Sequence, residues 1–447
     1  MRRLEMSKNS YKAGTINNLY ARAKDVIPGG NSLLSKRREM FAPEQWPAFF
    51  ESAKGIVVTD IEGCEYRDFS HFGVGTNTLG YGNTNVDSAV LESIKKGNMS
   101  TLNPAEEVYL AERLVKMHPW SAMARFARTG GEANSIAVRI ARAHTGKSKI
   151  AFCGYHGWHD WYLSANIQDS NNLDKQLLAG LSAAGVPKEL ASTSLPFNDG
   201  DLKGLERLLA GGDVAAIKME VMRSKAPSVD YLKNVRILAD KYKCLLIFDE
   251  CTSGFRETFG GLHLKYGVDP DLTILGKTLG NGYAITAVLG TKPVMLSSQS
   301  TFISSTFFTE RLGYVAALAV LDEMEKTRSW EIISKKGAMF KRRISTLFGK
   351  HGLEVDVTGM DALVSFNVRH ADASAAKTYI TQEMLREGFL AGNLFYPSIA
   401  HSVSDTDDFF VSLDRVIMAL SLIIKNQDSI IGHLQGPVCH TGFQRLN

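Results

Sequence analysis

Lys277 follows a glycine in Leu275-Gly276-Lys277-Thr278, directly after a short β-rich apolar run that begins at Leu272. A lysine held in a partly desolvated cleft loses some of its grip on its proton and becomes a nucleophile toward an aldehyde. Asp249-Glu250 closes a second apolar run, Cys244 to Phe248. A carboxylate there can pair with a cationic ring nitrogen, because an adjacent positive charge reverses the rise in pKa that burial causes. The plainer uses of the same pair are a helix cap or a Mg²⁺ ligand. Thr129-Gly130-Gly131-Glu132 precedes Ala133, Ile136, Ala137, Ile140 and Ala141, which recur at helical spacing. Paired glycines at a helix start leave backbone N–H groups open to a phosphate, although an ordinary turn-to-helix junction has the same look. Gly154-Tyr155-His156-Gly157-Trp158 follows Ile150-Ala151-Phe152. An aromatic between glycines can stack on a flat ring or simply pack in a turn.

Several chemistries are excluded. Gly276-Lys277-Thr278 has the ending of a P-loop, but Asp271 stands where that motif requires glycine. Gly73-Val74-Gly75 lacks the third glycine of a dinucleotide fingerprint, since Thr78 occupies its place, and no H-E-x-x-H sequence occurs. No metal site is expected. The net charge is only +4, and the most basic run, Lys36-Arg37-Arg38, is followed at once by Glu39, so no nucleic-acid partner is expected. Five cysteines without a C-x-x-C pair fit a reducing compartment. The opening residues 1–14 carry basic residues with no apolar run behind them, and no stretch is apolar enough to span a bilayer. A cytoplasmic protein without a membrane partner is the expectation.

The elements that must position these residues point to an α/β fold. At 447 residues the chain exceeds one simple core. Residues 1–75 read as a helix from Tyr20 to Ile27 stopped by Pro28-Gly29-Gly30, then two strands flanking the turn at Glu62-Gly63. From 76 to 310, apolar runs such as Val214 to Met219, Cys244 to Phe248 and Leu272 to Leu275 alternate with helical windows such as Leu232 to Tyr242. That alternation predicts a mainly parallel sheet covered by helices on both faces, with the chemistry at the strands' carboxyl ends. Residues 311–447 open with a helix from Tyr314 to Lys326 and continue as a smaller α+β domain, ending in a glycine-punctuated tail from Gly436 that lies on other structure.

Taken in order, these segments resemble the class III aminotransferases of pyridoxal-phosphate (PLP) fold type I, most closely the glutamate-1-semialdehyde aminomutases. The likeness runs from about Tyr20 to Ile424. Ile27-Pro28-Gly29-Gly30-Asn31-Ser32 is similar to that family's opening. Phe248-Asp249-Glu250 with Thr252-Ser253-Gly254-Phe255-Arg256 is similar to its D-E-x-x-[TS]-G-F-R signature, and Asp269 to Lys277 to the segment presenting its lysine. The interval between Asp249 and Lys277 fits the family as well. The resemblance implies a large domain with a mainly parallel seven-stranded sheet, and a smaller domain built from both chain ends. It implies that Lys277 carries pyridoxal 5′-phosphate as a Schiff base and that Asp249 pairs with the ring nitrogen. Tyr155, within Tyr155-His156-Gly157, would stack on the ring, and Thr129, Gly130 and Gly131 would hold the phosphate. Thr252 belongs to the signature beside the lysine. Thr306 would reach the phosphate of a neighbouring subunit, making a homodimer with shared sites. Glu220 matches a glutamate near the cofactor, although Val221 replaces the usual proline.

Departures from the aminomutase fall where substrate would bind. Ser35 occupies the place of its carboxylate-binding arginine, and Lys36, Arg37 or Arg38 are only partial substitutes. Phe307, Phe308, Glu310 and Arg311 replace its usual S-G-N-P segment, two aromatics and an ion pair that imply a reshaped substrate pocket. Asn393-Leu394-Phe395-Tyr396 also differs, and Phe395 and Tyr396 join the substrate candidates. The leading expectation is amino transfer from an amino-acid donor, glutamate by default, to a small aldehyde or ketone acceptor. An isomerase, either an aminomutase or a racemase, is the alternative. A non-catalytic scaffold is disfavoured by the retention of Lys277 with Asp249.

Overall fold

The computed structural model describes residues 15–176, 178–222 and 225–443. The basic opening segment 1–14 and the last four residues of the tail lie outside the described residues.

Val214–Met219 and Leu245–Glu250 are buried along their whole length. Such strands must be covered on both faces, and they lie side by side near the middle of a seven-stranded sheet. Its order is Met123–Ala127, Thr286–Gly290, Leu272–Leu275, Leu245–Glu250, Val214–Met219, Lys149–Cys153 and Ser194–Pro196. Thr286–Gly290 runs antiparallel to both of its neighbours, and the other pairings are parallel. Helix Gly130–Thr145 covers one face through Ile136 and Ile140, against Ile247 and Ile274. Helices Leu202–Ala210 and Val229–Lys241 cover the other through Leu205 and Leu232, against Leu246 and Phe248. The pairing of Asp249 with Ile274 and of Glu250 with Leu275 puts the two strand ends side by side. Lys277 follows within two residues.

Both chain ends contribute to a second core. Phe69 and Phe72 from the N-terminal segment pack with Phe340, Phe366, Phe395 and Phe409. The described tail crosses the chain's own N-terminal segment, with His440 N–H donating to Glu39 O at 2.7 Å and Cys439 N–H to Thr378 Oγ1 at 2.9 Å.

The expected division at residue 310 needs correction. Helix Arg311–Thr327 buries Tyr314, Ala317 and Leu321 with Leu275, Leu279 and Val86, so it belongs to the layer on the large sheet. Packing changes at Arg328, whose φ of 51° separates this helix from Ser329–Lys350. The latter helix supplies Phe340 and Ile344 to the second core.

Gly337 in that helix meets the Asp361 turn so closely that a Cβ there would lie 1.6 Å from Asp361 O. An interior helical glycine ordinarily gains about 1 kcal/mol from alanine. Here the sign is reversed, and Gly337→Ala is expected to cost about 3 kcal/mol by overpacking. A urea midpoint equal to that of the unaltered protein would contradict this contact.

Candidate active site

Asp249, 3% exposed, is the next-to-last residue of its strand and has both carboxylate oxygens engaged. Oδ2 accepts from His156 Nδ1 at 2.8 Å and faces Lys218 Nζ at 4.0 Å, while Oδ1 accepts the Cys251 N–H at 3.1 Å. Burial alone would raise this carboxyl. Lys218, His156 and the Cys251 N–H overcome that effect and hold it well below the ordinary carboxylate range. Burial and Lys218 push His156 down, and Asp249 opposes them. Glu250 turns to a different task. Its carboxylate accepts from His263 Nδ1 at 2.5 Å and from the Leu262 and His263 N–H groups, fixing the 261–263 turn.

Lys277 has a backbone φ of 34°, a conformation that non-glycine residues hold only where the surroundings enforce it. Its Nζ donates to Thr252 Oγ1 at 2.8 Å. Cys251 joins the parts of the site. A Cβ on Gly130 would lie 3.3 Å from Cys251 Sγ and one on Gly276 3.1 Å from it, so the helix start, the residue before the lysine and Asp249 surround one thiol. Burial and Asp249 push that thiol's pKa up, so it stays protonated.

The Thr129 hydroxyl accepts from the Glu132 N–H and Glu132 answers with the Thr129 N–H, a reciprocal cap that fixes where helix Gly130–Thr145 begins. Gly131 and Gly157 are in near contact, with a Cβ on Gly157 falling 3.1 Å from Gly131 Cα. The Tyr155 N–H donates to Glu220 Oε2 at 3.1 Å. Glu220 also closes on Gly154, whose φ of 106° and lack of a Cβ permit the approach.

The expected substrate residues fare unevenly. Phe395 is 1% exposed and stacks on Phe340 at 4.1 Å, so it packs in the second core, which corrects its expected place at the substrate. Glu310 and Arg311 do not pair with each other. Glu310 caps helix Arg311–Thr327 and lies 3.6 Å from Arg128, whereas Arg311 pairs with Glu106 at 2.6 Å. Tyr396 lies beside Arg256 and Gly75. The Ser35 carbonyl accepts from His71 Nε2 at 3.1 Å, tying it to the turn that ends at Gly75. Arg256 bonds Gly75 O and Thr252 O and thereby links that turn to the residue holding Lys277. Thr306 and Phe307 are exposed beside the start of helix Gly130–Thr145, where Arg128 binds the Phe307 and Phe308 carbonyls.

The donor set matches the three functional parts of pyridoxal phosphate. A carboxylate held anionic suits a cationic ring nitrogen, a lysine amine at a neighbouring strand end suits an aldehyde, and a glycine-started helix suits a phosphate. Sequence reading missed Lys218, Cys251 and Arg128. Only the charge of Lys218 inside an apolar run was available as a signal.

Residues 40–413 match the family model described as aminotransferase class-III. The chain is 33% identical over 402 residues to the 3-aminobutyryl-CoA aminotransferase of Cloacimonas acidaminovorans, covering 87% of this chain and 92% of that one. It is 32% identical over 374 residues to a glutamate-1-semialdehyde 2,1-aminomutase of Methanothrix thermoacetophila, covering 81% and 84% respectively. The structure of an omega-transaminase from Sphaerobacter thermophilus matches with a TM-score of 0.79 at 23% identity, over 91% of this chain and 98% of that one, a likeness of fold.

Proposed function

The chain belongs to the class III aminotransferases, PLP enzymes of fold type I, and from that premise we propose that Lys277 and Asp249 are its catalytic pair. The observation that carries this is the parallel pairing of Leu245–Glu250 with Leu272–Leu275, which delivers a buried carboxylate and a lysine to one sheet edge.

Bound there, pyridoxal phosphate supplies an aldehyde for amines and a ring that takes up electron density from the amine-bearing carbon. Lys277 Nζ is the amine that attaches the cofactor, with Thr252 Oγ1 orienting it. As a free amine, Lys277 Nζ would be the base that takes the proton from the donor's Cα. Asp249 holds the ring nitrogen, and His156 orients Asp249 from behind. The Gly130 and Gly131 N–H groups, fixed by the Thr129 cap, would hold the phosphate, and Tyr155, whose N–H is anchored by Glu220, would stack on the ring.

The exposed Phe302, Phe307 and Leu102 support a homodimer in which Thr306 reaches the partner's phosphate. Five free cysteines support a cytoplasmic setting, and no helix among the described residues is long and apolar enough to cross a membrane. An amino acid, glutamate by default, is the donor. The Cloacimonas relative, named for 3-aminobutyryl-CoA, supports β-amino acyl compounds among the donors to test first and their β-keto counterparts among the acceptors.

Adding L-glutamate to the PLP-loaded protein is expected to bleach the visible cofactor band and release one 2-oxoglutarate per site. The aminomutase relatives favour an isomerase as the second reading. Turnover of a single substrate, with no keto acid released from any donor, would establish that reading instead.

A further inference from the structure

Lys218 is a buried lysine to which the chemistry above gives no part. Its strand runs beside that of Asp249, and the pairing of Lys218 with Ile247 leaves its side chain beneath the strand end. It is 0% exposed, with Nζ 4.0 Å from Asp249 Oδ2 and 6.0 Å from the centre of the Trp161 ring. Nζ has no hydrogen-bond partner among the described residues. An ammonium in such a place requires a countercharge. Burial pushes the Lys218 ammonium toward losing its proton, Asp249 opposes this most strongly, and Glu220, just past the end of the same strand, adds a smaller pull while accepting the Tyr155 N–H. His156 adds a second donor to Asp249 Oδ2. Asp249, the stronger of these two carboxylate influences and the one within ion-pair distance, is also the carboxylate assigned to the ring nitrogen.

We propose that Lys218 is a positioning residue that competes with the cofactor's ring nitrogen for Asp249, so that the ring holds its proton less tightly than Asp249 and His156 alone would impose. Two cations sharing one carboxylate repel each other, and removing one strengthens the other's hold on its proton. Lys218 thus limits how much electron density the ring accepts. This inference rests on the assignment of Asp249 to the ring nitrogen.

The test reads the ring nitrogen directly. The protein is loaded with pyridoxal phosphate labelled with ¹⁵N in the ring, and the ¹⁵N resonance is followed against pH. In Lys218→Met the ring nitrogen is expected to lose its proton at least about one pH unit higher, a tenfold change in equilibrium, while Lys218→Arg keeps the original profile. Lys218→Ile, which matches the aliphatic strand neighbours, replaces Lys218→Met if that variant does not fold. An unchanged profile in the uncharged variant overturns the proposal, as does a shift to lower pH. Asp249→Asn separates the two levels of the argument. If it moves the resonance and Lys218→Met does not, only the role of Lys218 falls. If neither moves it, the assignment of Asp249 falls too.

Discussion

Lys277→Ala is expected to slow amino-group uptake from the donor by about 10⁴-fold, the upper range for loss of a positioned proton-transfer group. Two proposed functions would disappear together, the amine that attaches the cofactor and the base that moves the proton. Nothing beside it can take over. Lys218 is fully buried behind Asp249, and Thr252, the hydrogen-bond partner of Nζ, is not basic. The proposed phosphate seat is the helix start at Gly130 and does not involve this side chain, so cofactor is still expected to bind. Stopped-flow absorbance after mixing the loaded variant with donor measures the loss. Small free amines added to the variant should restore part of the rate, because they supply the missing base. A variant that turns over at the original rate would mean that another group moves the proton.

Asp249→Ala is expected to lower the same rate by about 10³-fold, as for loss of an electrostatic partner in a water-poor site. The substitution removes a negative charge and leaves Lys218 and His156 next to the ring nitrogen. The ring then loses its proton and accepts electron density poorly. Asp249→Glu should retain more activity, since it restores the charge at some cost in geometry. The pH dependence has a definite sign. The Asp249 carboxyl is held below its ordinary value, so its contribution to stability is present at neutral pH and is lost only as pH falls below the usual carboxylate range. An acid limb of the rate near neutral pH would therefore belong to another group. Full activity in Asp249→Ala, measured by the rate of bleaching, would remove this residue from the mechanism.

Much of the architecture could be read from the sequence because buried parallel strands leave continuous apolar runs. Val214–Met219, Leu245–Glu250 and Leu272–Leu275 all appeared that way, and the polar residues at the ends of the last two runs pointed to the site. The carboxylate and the lysine were legible because each stands where an apolar run stops. Lys218 was not, since its partner belongs to a neighbouring strand, and only the pairing shows that the charge is answered. Arg311 was misread for the same reason. The adjacent Glu310 looked like its partner, yet Glu106 lies 205 residues away in sequence. Phe395 belongs to a strand of two residues, too short for alternation to reveal which face is buried. The division at 310 failed because helix Arg311–Thr327 is apolar around much of its surface, and sequence alone does not say which domain covers it.

Lys277 is the residue proposed to hold the cofactor. Borohydride reduction of the PLP-loaded protein, followed by proteolysis and peptide mass spectrometry, tests it most directly. One reduced cofactor adduct per chain is expected, located on Lys277 and absent from Lys277→Ala. An adduct on Lys218 or another lysine, or no adduct on a protein that binds the cofactor, would contradict it.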